Sequence, residues 1–257
     1  MKTLFPFQCF TILFSLFFIL SVKGQNAEEY IGDLLGQPRI IELQPFKILN
    51  VNSGIQVNLI PSDENKLVIY GDRYNGIVIK EKGNNLKLRI RLSELIHFDQ
   101  PYIDLYYNES LKSIKLHQGA VVETVRPIKT NNLVIKVHEG SEFSGEINSE
   151  YLTSKVHTGS FLRLSGKVKN HVLKTNTGGV CLAEDLITKH SIVKANSGGD
   201  GKIYSESKVW AKAAFGGFIS IKGTPNEVIA NRFFGGEVRS SKNTPSRYFK
   251  RNMIRNR

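Results

Sequence analysis

The chain has 257 residues, 40% of them hydrophobic, and a formal net charge of +12 at pH 7. Its two cysteines, Cys9 and Cys181, exclude a disulfide-stapled scaffold. The basic balance favours anionic partners over cationic ones.

The first predicted element is a leader. Lys2 gives a positive start, and Phe10 to Val22 is a nearly unbroken apolar run of about thirteen residues. Small and polar residues follow at Ser21 to Gln25. That order predicts a secretory signal peptide over residues 1–24, with a retained anchor as the structural alternative. The run is short for a membrane span. Losing Lys2 and Lys23 takes the charge from +12 to +10 (12 − 2), and residues 25–38 read as a linker.

The next segment contains one isolated corner, NVNSGIQVNLI around Gly54, then several strand-like runs. NKLVIYGD, NGIVIKEK, NLKLRIRL and YIDLYYN alternate as strands do. Lys82-Gly83-Asn84-Asn85 predicts a tight hairpin. This section is expected to be antiparallel and to cap one end of a longer body.

From residue 113 onward the chain repeats. Gly119, Gly140, Gly159, Gly178, Gly198, Gly216 and Gly235 are spaced by 21, 19, 19, 20, 18 and 19 residues. Three residues before the glycine stand Leu116, Val137, Val156, Thr175, Ala195 and Ala213, and three after stand Val122, Phe143, Leu162, Cys181, Gly201, Ile219 and Val238. These columns alternate with polar ones, the period of half-buried strands. No helical i, i+3, i+4, i+7 pattern is present, and the glycine pairs would break a helix. The fold class is therefore all-β: a right-handed β-helix-like solenoid with coils of about 19 residues and N-terminal antiparallel capping strands. KTNTGGVC and KANSGGDG then mark coil corners rather than phosphate loops, because strands and not helices follow the glycines. Arg232 stands in a column that is apolar elsewhere, so the register is expected to fail there and the core to close near residue 243. A solenoid domain over 39–243 and a basic tail over 244–257 complete the expected organisation. The tail carries Arg247, Lys250, Arg251, Arg255 and Arg257.

FKILNVNSGIQVNLIPSDENKLVIYGDRYNG, IKLHQGA, HEGSEFSG, HTGSFLRLSG and the serial GG units resemble the "Putative auto-transporter adhesin, head GIN domain" family over about residues 39–243. The resemblance implies an exported bacterial β-solenoid and brings no catalytic residues. The later corners, TGGV, SGGD, FGGF and FGGE, depart from the SGAS-like corners of that family.

Repeat columns become surface features. Four residues before the glycine stand Lys115, Lys136, Lys155, Lys174, Lys194 and Lys212. Flanked by inward positions, they are expected to face solvent as a basic stripe roughly 25 Å long. Such a stripe suits an acidic polysaccharide or another envelope polyanion, and alternatively only keeps the sheet soluble. A protein partner is a further possibility. No aromatic residues interleave with the lysines in sequence, which argues against single-stranded nucleic acid. Two residues before the glycine, His117, His138 and His157 stack in successive coils and form a weak metal candidate. Trp210, Phe215, Phe218, Phe233 and Phe234 are expected in the core or the end cap.

No cofactor is expected. The aspartates at 33, 63, 72, 99, 104, 185 and 200 do not fall into one column, so the paired acids of a polysaccharide lyase or hydrolase are missing. Ser160, His157 and Cys181 occupy different columns and form no triad. The functional expectation is an exported, non-catalytic binding or adhesin-like protein in the periplasm, at the outer membrane or outside the cell. A structural envelope protein and a polysaccharide-active solenoid enzyme are the alternatives.

Overall fold

The structure is a computed structural model that describes residues 38–70, 76–91, 93, 102–108 and 110–241. The expected leader, nearly all of the linker, and the basic tail lie outside the described residues.

The body is built from β8 (Ser113–Leu116), β9 (Val121–Thr124), β10 (Ile128–Val137), β11 (Glu142–His157), β12 (Phe161–Asn176), β13 (Val180–Asn196), β14 (Asp200–Ala214), β15 (Phe218–Lys222), β16 (Glu227–Phe233) and β17 (Glu237–Ser240). Every pairing among them is parallel, and the register follows the repeat: Lys136 pairs with Lys155, Lys155 with Lys174 and Lys174 with Lys194. A coil of this kind cannot bury its own apolar face, so successive coils stack and share one core. Leu116, Val137, Val156, Phe143, Leu162 and Cys181 are all fully buried in it. The solenoid reading therefore holds.

The cap is formed by β1 (Arg39–Glu42), β2 (Ile48–Val51), β3 (Gln56–Pro61), β4 (Lys66–Tyr70), β5 (Ile77–Lys82), β6 (Asn85–Ile90) and β7 (Tyr102–Tyr107). The predicted hairpin is present: β5 and β6 are antiparallel, with Lys82 opposite Asn85. β4 also runs antiparallel to β1 and β7. Yet the cap is mixed rather than purely antiparallel. β2 lies in parallel between β6 and β8, and β3 lies in parallel between β7 and β9. The Gly54 coil is thus the neighbour of the Gly119 coil in space. Of the described strands between the two glycines, β6 and β7 pair with the outer side of the Gly54 coil, and β8 returns to its other side.

Each corner turns on two successive left-handed residues. Thr158 (φ 54°) precedes Gly159 (φ 65°), and even Phe215 (φ 49°) and Phe234 (φ 44°) adopt this conformation. A non-glycine residue there costs about 1–2 kcal/mol. Amides between coils offset the strain: Gly140 N donates to Thr158 O at 3.1 Å, and Gly159 N to Thr177 O at 3.1 Å.

The expectation of a broken register at Arg232 is overturned. Arg232 pairs with Ala213, and Val238 still pairs with Ile219. The arginine is exposed because it lies on the last full coil, where its column is no longer interior.

Candidate polyanion-binding face

One face of the rod is made by the C-terminal halves of β10 to β14, flanked by β8 and β16. Inward residues alternate with outward ones, so each coil presents its lysine at the same height. Lys115, Lys136, Lys155, Lys174, Lys194 and Lys212 are register partners in unbroken series. Lys194 and Lys212 are exposed and the other four are half-buried. At about 4.8 Å per coil the column runs roughly 25 Å. Among the described residues, none of the six makes an ion pair; the ion pairs found involve Lys66, His117, Lys169, Lys208, Lys222 and Arg239. Like charges directly opposite across a ladder are destabilising. The column therefore retains uncompensated positive charge.

The column is longer than the repeat implied. Exposed Lys87 of the cap pairs with Asn50, which pairs with Lys115. Its signal was the alternation of NLKLRIRL, whose place in the ladder depends on a crossing that no spacing reveals.

The aromatic expectation is corrected. Phe215, Phe233 and Phe234 are exposed, and Trp210 and Phe218 are half-buried. None lies in the core. Phe215 and Phe234 stack at 4.9 Å on the corner column. Lys194 Nζ lies 5.4 Å from the Trp210 ring centre, and Lys212 Nζ lies 5.2 Å from that of Phe233. The last two ladder lysines thus have aromatic neighbours, which the sequence reading had denied them. The reason is register: Trp210 and Phe233 occupy outward positions, and the core columns at that level hold Val209, Ala211 and Ala213 instead. Beside the lysines runs an outward column of Val134, Thr153, Val172, Ile192, Trp210 and Ile229, of which Ile192 is 44% exposed.

On the other side of the lysines the histidines stack as expected. His117 and His138 ring centres are 5.1 Å apart, and those of His138 and His157 are 4.9 Å apart with planes 1° from parallel. Parallel stacking leaves equivalent ring nitrogens about one coil apart instead of converging on one ion. Among the described residues, no group of three or more His, Cys, Asp or Glu side chains could hold a metal. Burial, then the charges of His157 and His117, lower the His138 pKa from its ordinary value. Burial, then Lys155 and Lys174, lower that of His157.

Other polar groups point elsewhere. Cys181 is buried, and burial together with Asp200 pushes its thiol pKa up, so it is unreactive. Burial raises the Asp200 pKa, with Lys202 opposing and Glu184 adding to it. Asp104 is tied to Tyr70 and Asn58 in the cap. The sequence reading missed a polar group in the interior: His171 Nε2 lies 3.0 Å from Ser154 Oγ, and Thr188 Oγ1 lies 2.7 Å from Ser191 Oγ. All four are buried within the rod, out of reach of a polymeric ligand.

The structure defines a β-solenoid protein with a repeating surface, whose lysine ladder makes no ion pair among the described residues. The chain belongs to the family "Putative auto-transporter adhesin, head GIN domain", whose model matches residues 45–225. That membership implies an exported or surface protein. Among the described residues no helix is long and apolar enough to cross a membrane. No curated protein matches the chain. Similar solved structures include a "putative adhesin" from Bacteroides fragilis, with TM-score 0.71 and 19% identity over 79% of this chain and 95% of that one. A "Putative lipid binding protein" from Parabacteroides distasonis has TM-score 0.61 and 15% identity over 80% and 96%. A "putative adhesin" from Parabacteroides merdae has the same score, identity and coverage. At these identities the likeness shows the fold.

Proposed function

We propose that the protein is an exported, non-catalytic, adhesin-like binding module whose lysine ladder holds an acidic polysaccharide or another envelope polyanion. The observation that carries this reading is the unbroken register of six lysines that make no ion pair among the described residues. A polymer with regularly spaced anions can meet several of these cations at once and release counterions as it does so. Each contact is weak, but linked contacts add through effective concentration. Acids do share columns, Glu142 with Asp200 and Glu237, and Glu146 with Asp185, but among the described residues no two acids are direct register partners, which supports a non-catalytic role.

An anionic lipid is a second reading, favoured by the outward apolar column beside the lysines. The Parabacteroides distasonis protein described as lipid-binding adds to that reading.

The test is binding of the purified protein to acidic and neutral glycans and to anionic vesicles, across salt concentrations. Variants carry Lys136→Gln, Lys174→Gln and Lys212→Gln together, or glutamine at Arg247, Lys250, Arg251, Arg255 and Arg257. Salt-sensitive glycan binding that disappears with the ladder variant supports the reading. Loss only with the tail variant makes the rod a scaffold for the tail. Binding confined to vesicles moves the lipid reading to first place. No binding at all leaves a structural envelope role, and release of shortened glycan products means an enzyme.

A further inference from the structure

Beside the ladder, toward the cap, the surface is hollow. An open groove of about 1020 Å³ lies where the chain crosses back from cap to body. Ser110 and Lys112, from that crossing, line it together with the bend of β10 and the middle of β11. The volume is at the upper end of the range for small-ligand clefts, roughly 300–1,000 Å³. A second hollow of about 340 Å³ shares Ser110 and Lys129 with it and adds Arg126 and Pro127. These last residues belong to the coil with 21 residues instead of 19: Phe143 pairs with Val122, twenty-one back, but Ile147 pairs with Ile128, only nineteen back. The two extra residues bulge out and edge the hollow.

The lining has a specific chemistry. Lys112, Lys129 and Lys167 are exposed and make no ion pair among the described residues. The acid in the lining, Glu150, is held by Lys169 at 2.7 Å. Asn131 and Asn132 are exposed on the bend and make no side-chain bond within the described structure. An amide both donates and accepts, which matches a hydroxyl. Tyr151 is 50% exposed and offers an apolar ring with a polar tip. Ser149 Oγ, also in the lining, is buried without a hydrogen-bond partner. Such an orphan is an acceptor or donor waiting for one.

We propose that this groove seats a carboxylated sugar unit: lysines for the carboxylate, the asparagines for ring hydroxyls, and Tyr151 for the C–H face of the pyranose. A simple inorganic anion would use the lysines but not the amides or the ring. The floor residues Val134 and Thr153 stand two positions before Lys136 and Lys155 on the same face. A glycan leaving the groove therefore runs directly onto the ladder. The proposal rests on the acidic-glycan reading above and specifies its unit of recognition.

The test is calorimetric titration of the full purified protein with tetragalacturonate, cellotetraose and long polygalacturonate. Three variants are compared, all at exposed or half-buried outward positions, with folding checked by circular dichroism. They are Tyr151→Ala; Lys112→Gln with Lys129→Gln and Lys167→Gln; and Lys155→Gln with Lys174→Gln and Lys194→Gln. Tetragalacturonate is expected to bind, and cellotetraose to bind at least about tenfold more weakly. Both groove variants should weaken the tetramer by about tenfold or more, and the ladder variant by less than about threefold. The ladder variant should instead remove the extra affinity of the long polymer. If the tetramer does not bind, if cellotetraose binds equally, or if the groove variants bind it like the parent, the groove proposal is overturned. In the last case loss of polymer binding in the ladder variant would leave the ladder reading standing. Loss in the groove variants with an unaffected ladder variant would sink the ladder and keep the groove.

Discussion

The early and late coils of the body solve the same corner differently. At the position after the corner glycine the early coils carry Ala120, Ser141 and Ser160, and the late coils carry Gly179, Gly199, Gly217 and Gly236. The early turns close loosely: Ala120 N to His117 O is 3.4 Å and Ser141 N to His138 O is 3.3 Å. The late ones close at 2.9–3.0 Å, from Gly179 N to Asn176 O through Gly236 N to Phe233 O. At Gly179 an added Cβ would meet Val156 O at 2.5 Å, whereas at the preceding Gly178 it would meet nothing within 4 Å. The two glycines of each pair thus do separate jobs. One supplies positive φ, and the other lets the chain pass against the coil before it. The interior narrows in parallel, from Leu116, Val137 and Phe143 to Ala195, Gly201, Ala211 and Ala213. Smaller interior side chains and tighter corners belong together, because a close-packed core tolerates no gap.

Where the two regimes meet, the interior turns polar, and there the largest effect is expected. His171 is completely buried, and burial lowers its pKa from 6.5 to about 4. The folded protein keeps the ring neutral, while the unfolded chain takes up a proton near 6.5. Below that pH the unfolded state binds more protons, so stability falls as pH drops from about 6.5 to about 4. The full loss is on the order of 3 kcal/mol. Urea unfolding at a series of pH values should show this limb. It should flatten in a variant with Ser154→Ala and His171→Leu, which replaces the pair by apolar groups, as Leu152 and Val209 stand in the His171 column and Ile135 and Leu173 in the Ser154 column.

The corners come next. Gly179→Ala should lower stability by about 1–3 kcal/mol, through forced displacement of the Val156 backbone. Gly178→Ala should cost about 1–2 kcal/mol, through strain alone. Thermal unfolding would show both, at roughly 2–4 °C per kcal/mol for a chain of this size. Ser160→Gly makes an early corner resemble a late one. Because Ser160 Oγ is buried without a partner, its loss is not penalised, and the change should stay within about 1 kcal/mol. A cost for Ser160→Gly matching that of Gly179→Ala would break the comparison between the two kinds of corner.

The smallest expected effect is on binding. The histidine stack flanks the ladder only at early corners, and His138 and His157 titrate below the ordinary histidine range. Protonation therefore adds cations to the early half of the face only at acid pH. Affinity for a sulfated polymer, whose own charge is constant, should rise modestly as pH falls below about 6.5. Replacing His117, His138 and His157 by asparagine, as in the late coils, should remove the rise.

Much of this was legible in the sequence because a solenoid writes its register into its spacing. The glycine interval placed the core columns, the six lysines and the three histidines correctly, and Lys82–Asn85 announced its hairpin. What escaped depends on contacts that no interval encodes. The cap crosses back between distant segments, so Lys87 joined the ladder unseen. Hydrophobicity placed Trp210 and Phe233 in the core or the end cap, although their own alternation places them outward. Arg232 suggested a broken register, but an end coil leaves its column exposed without losing its pairing. The groove had one sequence signal, the spacing of 21, whose meaning required knowing which side of the coil bulged.

The central claim is that the lysine ladder is the polyanion-binding face, and the salt dependence of binding tests it most directly. Affinity for a long acidic polysaccharide, measured across salt concentrations, gives a slope that counts the cations engaged. Changing Lys136, Lys174 and Lys212 to glutamine should lower that slope by about one for each lysine removed. An unchanged slope and affinity in this variant would contradict the account, and would assign the ladder to solubility.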